Sequence, residues 1–172
     1  MKLAFEVAFL VVVNFASSLL AVPIRQPDSL EPGDQFRLAF VTTTSTTAES
    51  SDIETYNAFV QATADAAPLG DWGLEWKAIA STETVSARDN TNTDFGIDDE
   101  GLPIFLLDGT ELVRSYSALW NAGTDFIFRT FDVNDIGERI QVGQGSVIVW
   151  TGTWIDGRPR TGTGPNMAGA LG

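Results

Sequence analysis

The chain has no cysteine and no histidine, and Lys2 and Lys77 are its only lysines in 172 residues. The missing cysteines exclude a disulfide framework. Without histidine as well, Ser-His-Asp and Cys-His catalysis and any zinc site built from imidazole or thiolate are excluded too. Positive charge is scarce: 10 Lys+Arg stand against 23 Asp+Glu, a formal charge of −13. Such a surface repels nucleic acid, anionic membranes and heparin-like polymers at long range. What is present is length enough for one domain with a core that folds without staples.

One apolar run stands apart from the rest. After Met1 and Lys2 the chain is apolar from Leu3 to Leu20 and then reaches Ala21. A short basic start, an apolar centre and a small residue at the end form an export signal over residues 1–21. Glu6 and Asn14 interrupt the run. A charge at mid-bilayer costs about 2.5–3.5 kcal/mol on insertion scales, which argues against a permanent span. Cleavage is expected after Ala21, or after Ser18 with Ala16 at the −3 position. The competing readings are a buried N-terminal helix and a retained anchor.

The remainder divides into an extended lead-in (22–35), a domain (36–165) and a flexible tail (166–172). Pro23, Pro27 and Pro32 mark the lead-in. Phe36, Leu38 and Phe40 alternate as one face of a strand over 36–41, followed by a Thr/Ser-rich loop over 42–51. Ser51 and Glu54 have capping-box spacing, and Ile53, Tyr56, Val60, Ala64 and Ala67 recur at helical intervals. A helix is predicted over 52–67, stopped by Pro68 and Gly70. A short strand is expected over 76–80 and a polar surface loop over 81–101. Asp108-Gly109 between apolar runs predicts a β-hairpin with a type I′ turn. Residues 115–120 suit a short second helix stopped by Gly123. Alternation predicts strands at 126–131, 139–142 and 146–150, and the glycine-rich stretch after 150 has little capacity for regular structure. The class is α+β: one main helix and a short second one packed on short antiparallel strands.

Six landmarks then fall in a fixed order. They are Leu69-Gly70, the run from Trp76 to Ser81, the run from Leu102 to Gly109, Ser117 to Trp120, Asp125 to Phe128, and Val149 to Thr153 with Asp156-Gly157-Arg158 behind it. From about residue 33 to residue 165 this order resembles the endostatin domain, whose fold is C-type-lectin-like. It is also similar to a domain of bacterial exported proteins, many of which end in a PEP-CTERM sorting tail that this sequence lacks. The resemblance implies a C-type-lectin-like fold but not the family's zinc, disulfides or heparin affinity, because the histidines, cysteines and arginine surface are missing. Calcium-dependent sugar binding in the lectins uses Glu-Pro-Asn and Trp-Asn-Asp motifs. The nearest approach here, Trp120-Asn121-Ala122, lacks the carboxylate. Lectin-like domains also continue to a returning strand that pairs with the first. The end at Gly172 therefore implies a natural short form or a truncated one, leaving strand 36–41 with an open edge.

Four candidate chemistries remain. Asp89, Thr91, Thr93 and Glu100 occupy positions 1, 3, 5 and 12 of a twelve-residue loop, and Asp94, Asp98 and Asp99 add carboxylates that suit calcium. Position 6 is Asp94 rather than glycine, and a solvated acidic loop is the simpler account. A Ser-Lys pair would have to use Lys77, which snorkelling beside Trp76 explains equally well. Trp72, Trp76, Trp120, Trp150 and Trp154 are candidates for stacking on sugar rings, with Trp154 nearest a loop; Trp120 and Trp150 read as core. Arg158 and Arg160 have the chemistry to hold a carboxylate, or form a solvated basic loop.

No catalytic, cofactor or metal residue is assigned. The expectation is an exported, non-enzymatic protein with a binding or structural role at the cell exterior, in the extracellular matrix or at the envelope, the periplasm included. Its partner would be an extracellular ligand such as a carbohydrate or another matrix protein, with no nucleic acid and no stable membrane span after cleavage. The alternative is a carboxylate-dependent hydrolase of extracellular polysaccharide, which needs two facing acids about 5–10 Å apart.

Overall fold

The computed structural model describes residues 27–94, 101–121, 131–140 and 151–160. The expected export signal, most of the strands expected at 126–131 and 139–142, the whole of 146–150 with Trp150, Gly123, the acids Asp98, Asp99 and Glu100, and the expected tail lie outside them.

Helix α1 (Ile53–Ala66) forms where the apolar spacing predicts it. The cap falls one residue later than the Ser51 capping box suggested: Asp52 accepts from the Glu54 amide at 3.0 Å, and Ser50 Oγ accepts the Asp52 amide. Ile53, Tyr56 and Ala64 face inward. Pro68 has no amide proton to continue the ladder, and the chain passes into a 3₁₀ turn, Pro68–Trp72. At its end Gly73 takes φ +62°.

The sheet is mixed, not purely antiparallel. Strand β1 (Arg37–Ala39) runs parallel to β2 (Ile104–Leu106), and β2 pairs antiparallel with β3 (Glu111–Val113). The spatial order β1-β2-β3 leaves β1 at an edge among the described residues. Just beyond it, Val41 donates to the Val133 carbonyl and accepts from the Asp135 amide, so the chain's exit from that edge is paired. All three residues of β2 are buried, as a central strand requires. Around it pack Ala39, Leu112, Val113, Leu119, Trp120 and Val133. A smaller cluster of Ile53, Tyr56, Ala78 and Ala80 lies under α1.

The β2–β3 connection is a hairpin, but not a type I′ one. Only Gly109 has positive φ, at +81°, while Asp108 stays in the ordinary region. Gly109 donates to the Leu106 carbonyl and Leu106 donates to Thr110, the geometry of a type I turn closed by a left-handed glycine. The same form recurs twice. Gly137 (φ +79°) donates to Asn134, which donates to Glu138; Gly157 (φ +80°) donates to Trp154, which donates to Arg158. At all three the glycine supplies the conformation that a Cβ disfavours.

Several expectations change. Residues 76–80 form no ladder, because α1 side chains satisfy their amides: Gln61 Oε1 accepts from Trp76 and Asn57 Oδ1 from Ala78. The polar stretch after Ser81 is not simply surface. Ser81, Thr82, Ala87 and Thr93 are buried, and a short helix α2 (Ala87–Asn90) is capped by Ser86. The lead-in, where described, makes two turns, with Leu30 donating to Pro27 and Asp34 to Glu31. Helix α3 (Tyr116–Leu119) is capped by Ser115, as the second-helix expectation required.

Candidate functional site

Residues 151–160, read from sequence as irregular, fold into a small hairpin. Thr153 and Pro159 pair antiparallel, Trp154 donates to Arg158 at 2.8 Å, and Arg160 donates to Gly152 at 2.8 Å. Asp156 Oδ1 accepts from the Arg158 amide, fixing the turn. The body of the protein grips the other side. The Ser81 amide donates to Thr151, the Ala87 amide to Gly157, and Thr153 Oγ1 to Ser81 Oγ. Gly157 lies so close to Trp120 and Arg88 that a Cβ there would come within 2.8 Å of the Trp120 ring and 2.3 Å of Arg88 Cγ. The hairpin is therefore docked rather than dangling.

Its outer face carries the aromatic candidate. In this register Trp154, Arg158 and Arg160 leave the same face, since opposite and diagonal residues of an antiparallel pair share a side. The Arg160 guanidinium carbon lies 4.9 Å from the Trp154 ring centroid. That is cation–π distance, and it holds the indole in one orientation. Trp154 nevertheless keeps 40% of its surface exposed, and Ile155 at the tip 63%. Arg158 reaches Asp156 only through Nε, at 3.9 Å.

The other tryptophans divide as their surroundings dictate. Trp120 is buried and donates to Thr93 Oγ1 at 2.9 Å; Trp76 is buried edge-on against Phe40. Trp72 is partly exposed on the 3₁₀ turn. In the described part of the acidic loop, Asp89 to Asp94, the candidate ligands turn to partners within the protein. Asp89 sits in α2 and accepts from Ser86, Thr91 donates back to the Ala87 carbonyl, and Thr93 serves Trp120. Asp94 pairs with Arg88 at 3.3 Å. These groups are committed to structure. Among the described residues no three acids gather closely enough to hold a metal ion.

Lys77 is salt-bridged to Glu75 at 2.9 Å, and that hydrogen bond raises its pKa above the ordinary 10.5. It is an ammonium at neutral pH and has no lone pair with which to take a proton from a serine. Asp108 and Asp132 both bind Arg139, which also donates to Thr110 Oγ1 at 3.1 Å. Burial alone would lift the Asp108 carboxyl; the Thr110 amide and hydroxyl together with Arg139 outweigh it and hold the pKa below 3.8. A groove of about 470 Å³ runs beside α1, lined by Phe59, Ala62, Thr63, Thr43 and Ile136. Its one carboxylate, Asp135, accepts from the Thr43 amide at 2.5 Å and hydroxyl at 3.1 Å.

The sequence places Trp154 beside a turn, and it is exposed there, at 40% against 37% for Trp72, with Trp150 outside the described residues. Nothing in the sequence signals that Arg160 stacks on that indole, because the contact depends on strand register rather than on spacing. Comparison with family models, curated proteins and solved structures finds no match to this chain.

Proposed function

We propose that this chain is an exported, non-enzymatic binding protein of the cell exterior, with an endostatin-like, C-type-lectin-like fold and a saccharide as ligand. The observation that carries the reading is Trp154: a large aromatic face left open on a docked hairpin and oriented by Arg160. Exposing an indole forgoes its burial energy, and a sugar's apolar C–H face recovers it by stacking. No helix among the described residues is long and apolar enough to cross a membrane.

The hydrolase alternative has less support. A glycosidase requires an acid held protonated near neutral pH beside a second carboxylate. Among the described residues Asp108 and Asp132 are brought together on one arginine, and Asp108 is pushed toward ionisation.

Two measurements test the reading. Mass spectrometry of the protein from culture fluid and cell envelope should find a mature chain beginning after Ala21 or Ser18; an intact N-terminus inside the cell overturns export. Retention of the purified protein on immobilised neutral polysaccharide should be lost in Trp154→Ala with an unchanged melting temperature. Equal retention of both proteins overturns the role of the hairpin.

A further inference from the structure

We propose that Arg158 makes this site selective for a saccharide bearing one isolated carboxylate, such as a chain ending in a uronic acid. The inference rests on the saccharide-binding reading above and concerns what the site prefers among sugars. Stacking on Trp154 cannot supply that preference, because every pyranose offers an apolar face.

Arg158 can. Its side chain is 71% exposed, and its one charged partner among the described residues, Asp156, lies 3.9 Å from Nε, beyond hydrogen-bond distance. Asp156 meanwhile directs Oδ1 to the backbone amide of Arg158 itself. The terminal nitrogens thus present a planar fork whose geometry matches a carboxylate with two parallel hydrogen bonds. Trp154 is the residue directly opposite, hydrogen-bonded to Arg158 through the backbone, which puts the two Cβ atoms about 5 Å apart on one face. That separation suits one sugar ring stacked on the indole with its exocyclic carboxylate reaching the guanidinium. Arg160, engaged on the ring, adds positive charge to the same face.

The net charge of −13 sets the upper limit on ligand charge. At physiological ionic strength fields are screened over about 8 Å. A single carboxylate at the hairpin face is governed by Arg158 and Arg160. A polymer with a carboxylate on every ring carries further charges across an acidic surface, and each is repelled.

The test measures binding of three probes to the full chain by calorimetry: a neutral gluco-oligosaccharide, the same oligosaccharide ending in one glucuronic acid, and polyglucuronate. The singly charged probe should bind about tenfold more tightly than the neutral one, the worth of a charge-assisted hydrogen bond. Arg158→Gln should abolish that ratio, bringing the singly charged probe to the affinity of the neutral one, with an unchanged melting temperature. Trp154→Ala should weaken both. Equal binding of the two oligosaccharides, or a ratio that survives Arg158→Gln, overturns the selectivity and leaves the saccharide reading intact. Tighter binding of polyglucuronate per ring overturns the limit to one carboxylate. Binding of no saccharide, or binding instead to phosphatidylcholine–phosphatidylserine vesicles through Trp154 and Ile155, overturns both readings.

Discussion

The side-chain amides of Asn57 and Asn90 exchange hydrogen bonds: Asn57 Nδ2 donates to Asn90 Oδ1 at 2.9 Å, and Asn90 Nδ2 to Asn57 Oδ1 at 2.8 Å. Between them they also hold the backbone of Ala78, whose amide donates to Asn57 and whose carbonyl accepts from Asn90. This one pair joins α1, the segment at 76–80 and α2. It replaces the strand ladder that those residues lack.

Asn57→Leu should therefore cost about 3 kcal/mol in urea denaturation, since it leaves the Ala78 amide and the Asn90 side-chain oxygen without partners, while Asn90 Nδ2 keeps the Ala78 carbonyl. Adding Asn90→Leu should cost less than the sum of the two single changes, because the second removes groups the first has orphaned. Strict additivity would show that the pair does not act as a unit.

Gly157 and Gly73 both have positive φ, at +80° and +62°, but their surroundings differ. A Cβ at Gly73 meets nothing within 4 Å, whereas one at Gly157 meets Trp120 and Arg88. Gly73→Ala should cost about 1 kcal/mol from backbone conformation alone. Gly157→Ala should cost about 3 kcal/mol, with the added clash, and should loosen the hairpin that carries Trp154. Thermal melts of the two variants compare the terms directly.

Trp120 and Trp76 make a second matched pair. The Trp120 indole N–H has Thr93 Oγ1 as acceptor, while that of Trp76 is buried without one among the described residues. Replacement by Phe takes from the buried Thr93 hydroxyl one of its two partners, leaving Thr91 Oγ1, in the first case and removes an unsatisfied donor in the second. Trp120→Phe should be the more destabilising by about 1–2 kcal/mol. The reverse order would refute the assignment of these partners.

The Thr110 hydrogen bonds to Asp108, with Arg139 beside them, outweigh burial and fix a sign for acid sensitivity. Asp108 has its folded pKa below the ordinary 3.8, so the folded state favours the ionised form. Its contribution is complete above that ordinary value and is lost as pH falls through the folded one. Both partners are partly exposed, which limits the effect at neutral pH to about 1 kcal/mol or less. Asp108→Asn should melt slightly lower at neutral pH. It should also lose less stability than the parent between about pH 5 and about pH 2. Parallel acid profiles would remove Asp108 from the account.

Much of the local structure was legible in the residues. The α1 stripe, its end at Pro68, the short helix after residue 115 and the hairpin turn at Gly109 follow from propensities within a few positions of each other. The misreadings lie where distant groups intervene. Residues 76–80 look like a strand by apolar content, yet α1 supplies their hydrogen bonds. The run after Ser81 looks exposed by polarity, yet Ser81 and Thr93 are buried because each hydroxyl finds a partner far away in sequence. Polarity predicts exposure only when nothing else can satisfy the group.

The absence of histidine and cysteine, the acidic surplus, the main helix and the turn positions were decided by the sequence alone, since composition and short-range spacing suffice for each. Which tryptophan stays open, that Arg160 orients it, and that Arg158 stands opposite were decided only by the tertiary structure. Those relations depend on the register of one hairpin and its docking against Ser81, Ala87 and Trp120, contacts that no local propensity encodes.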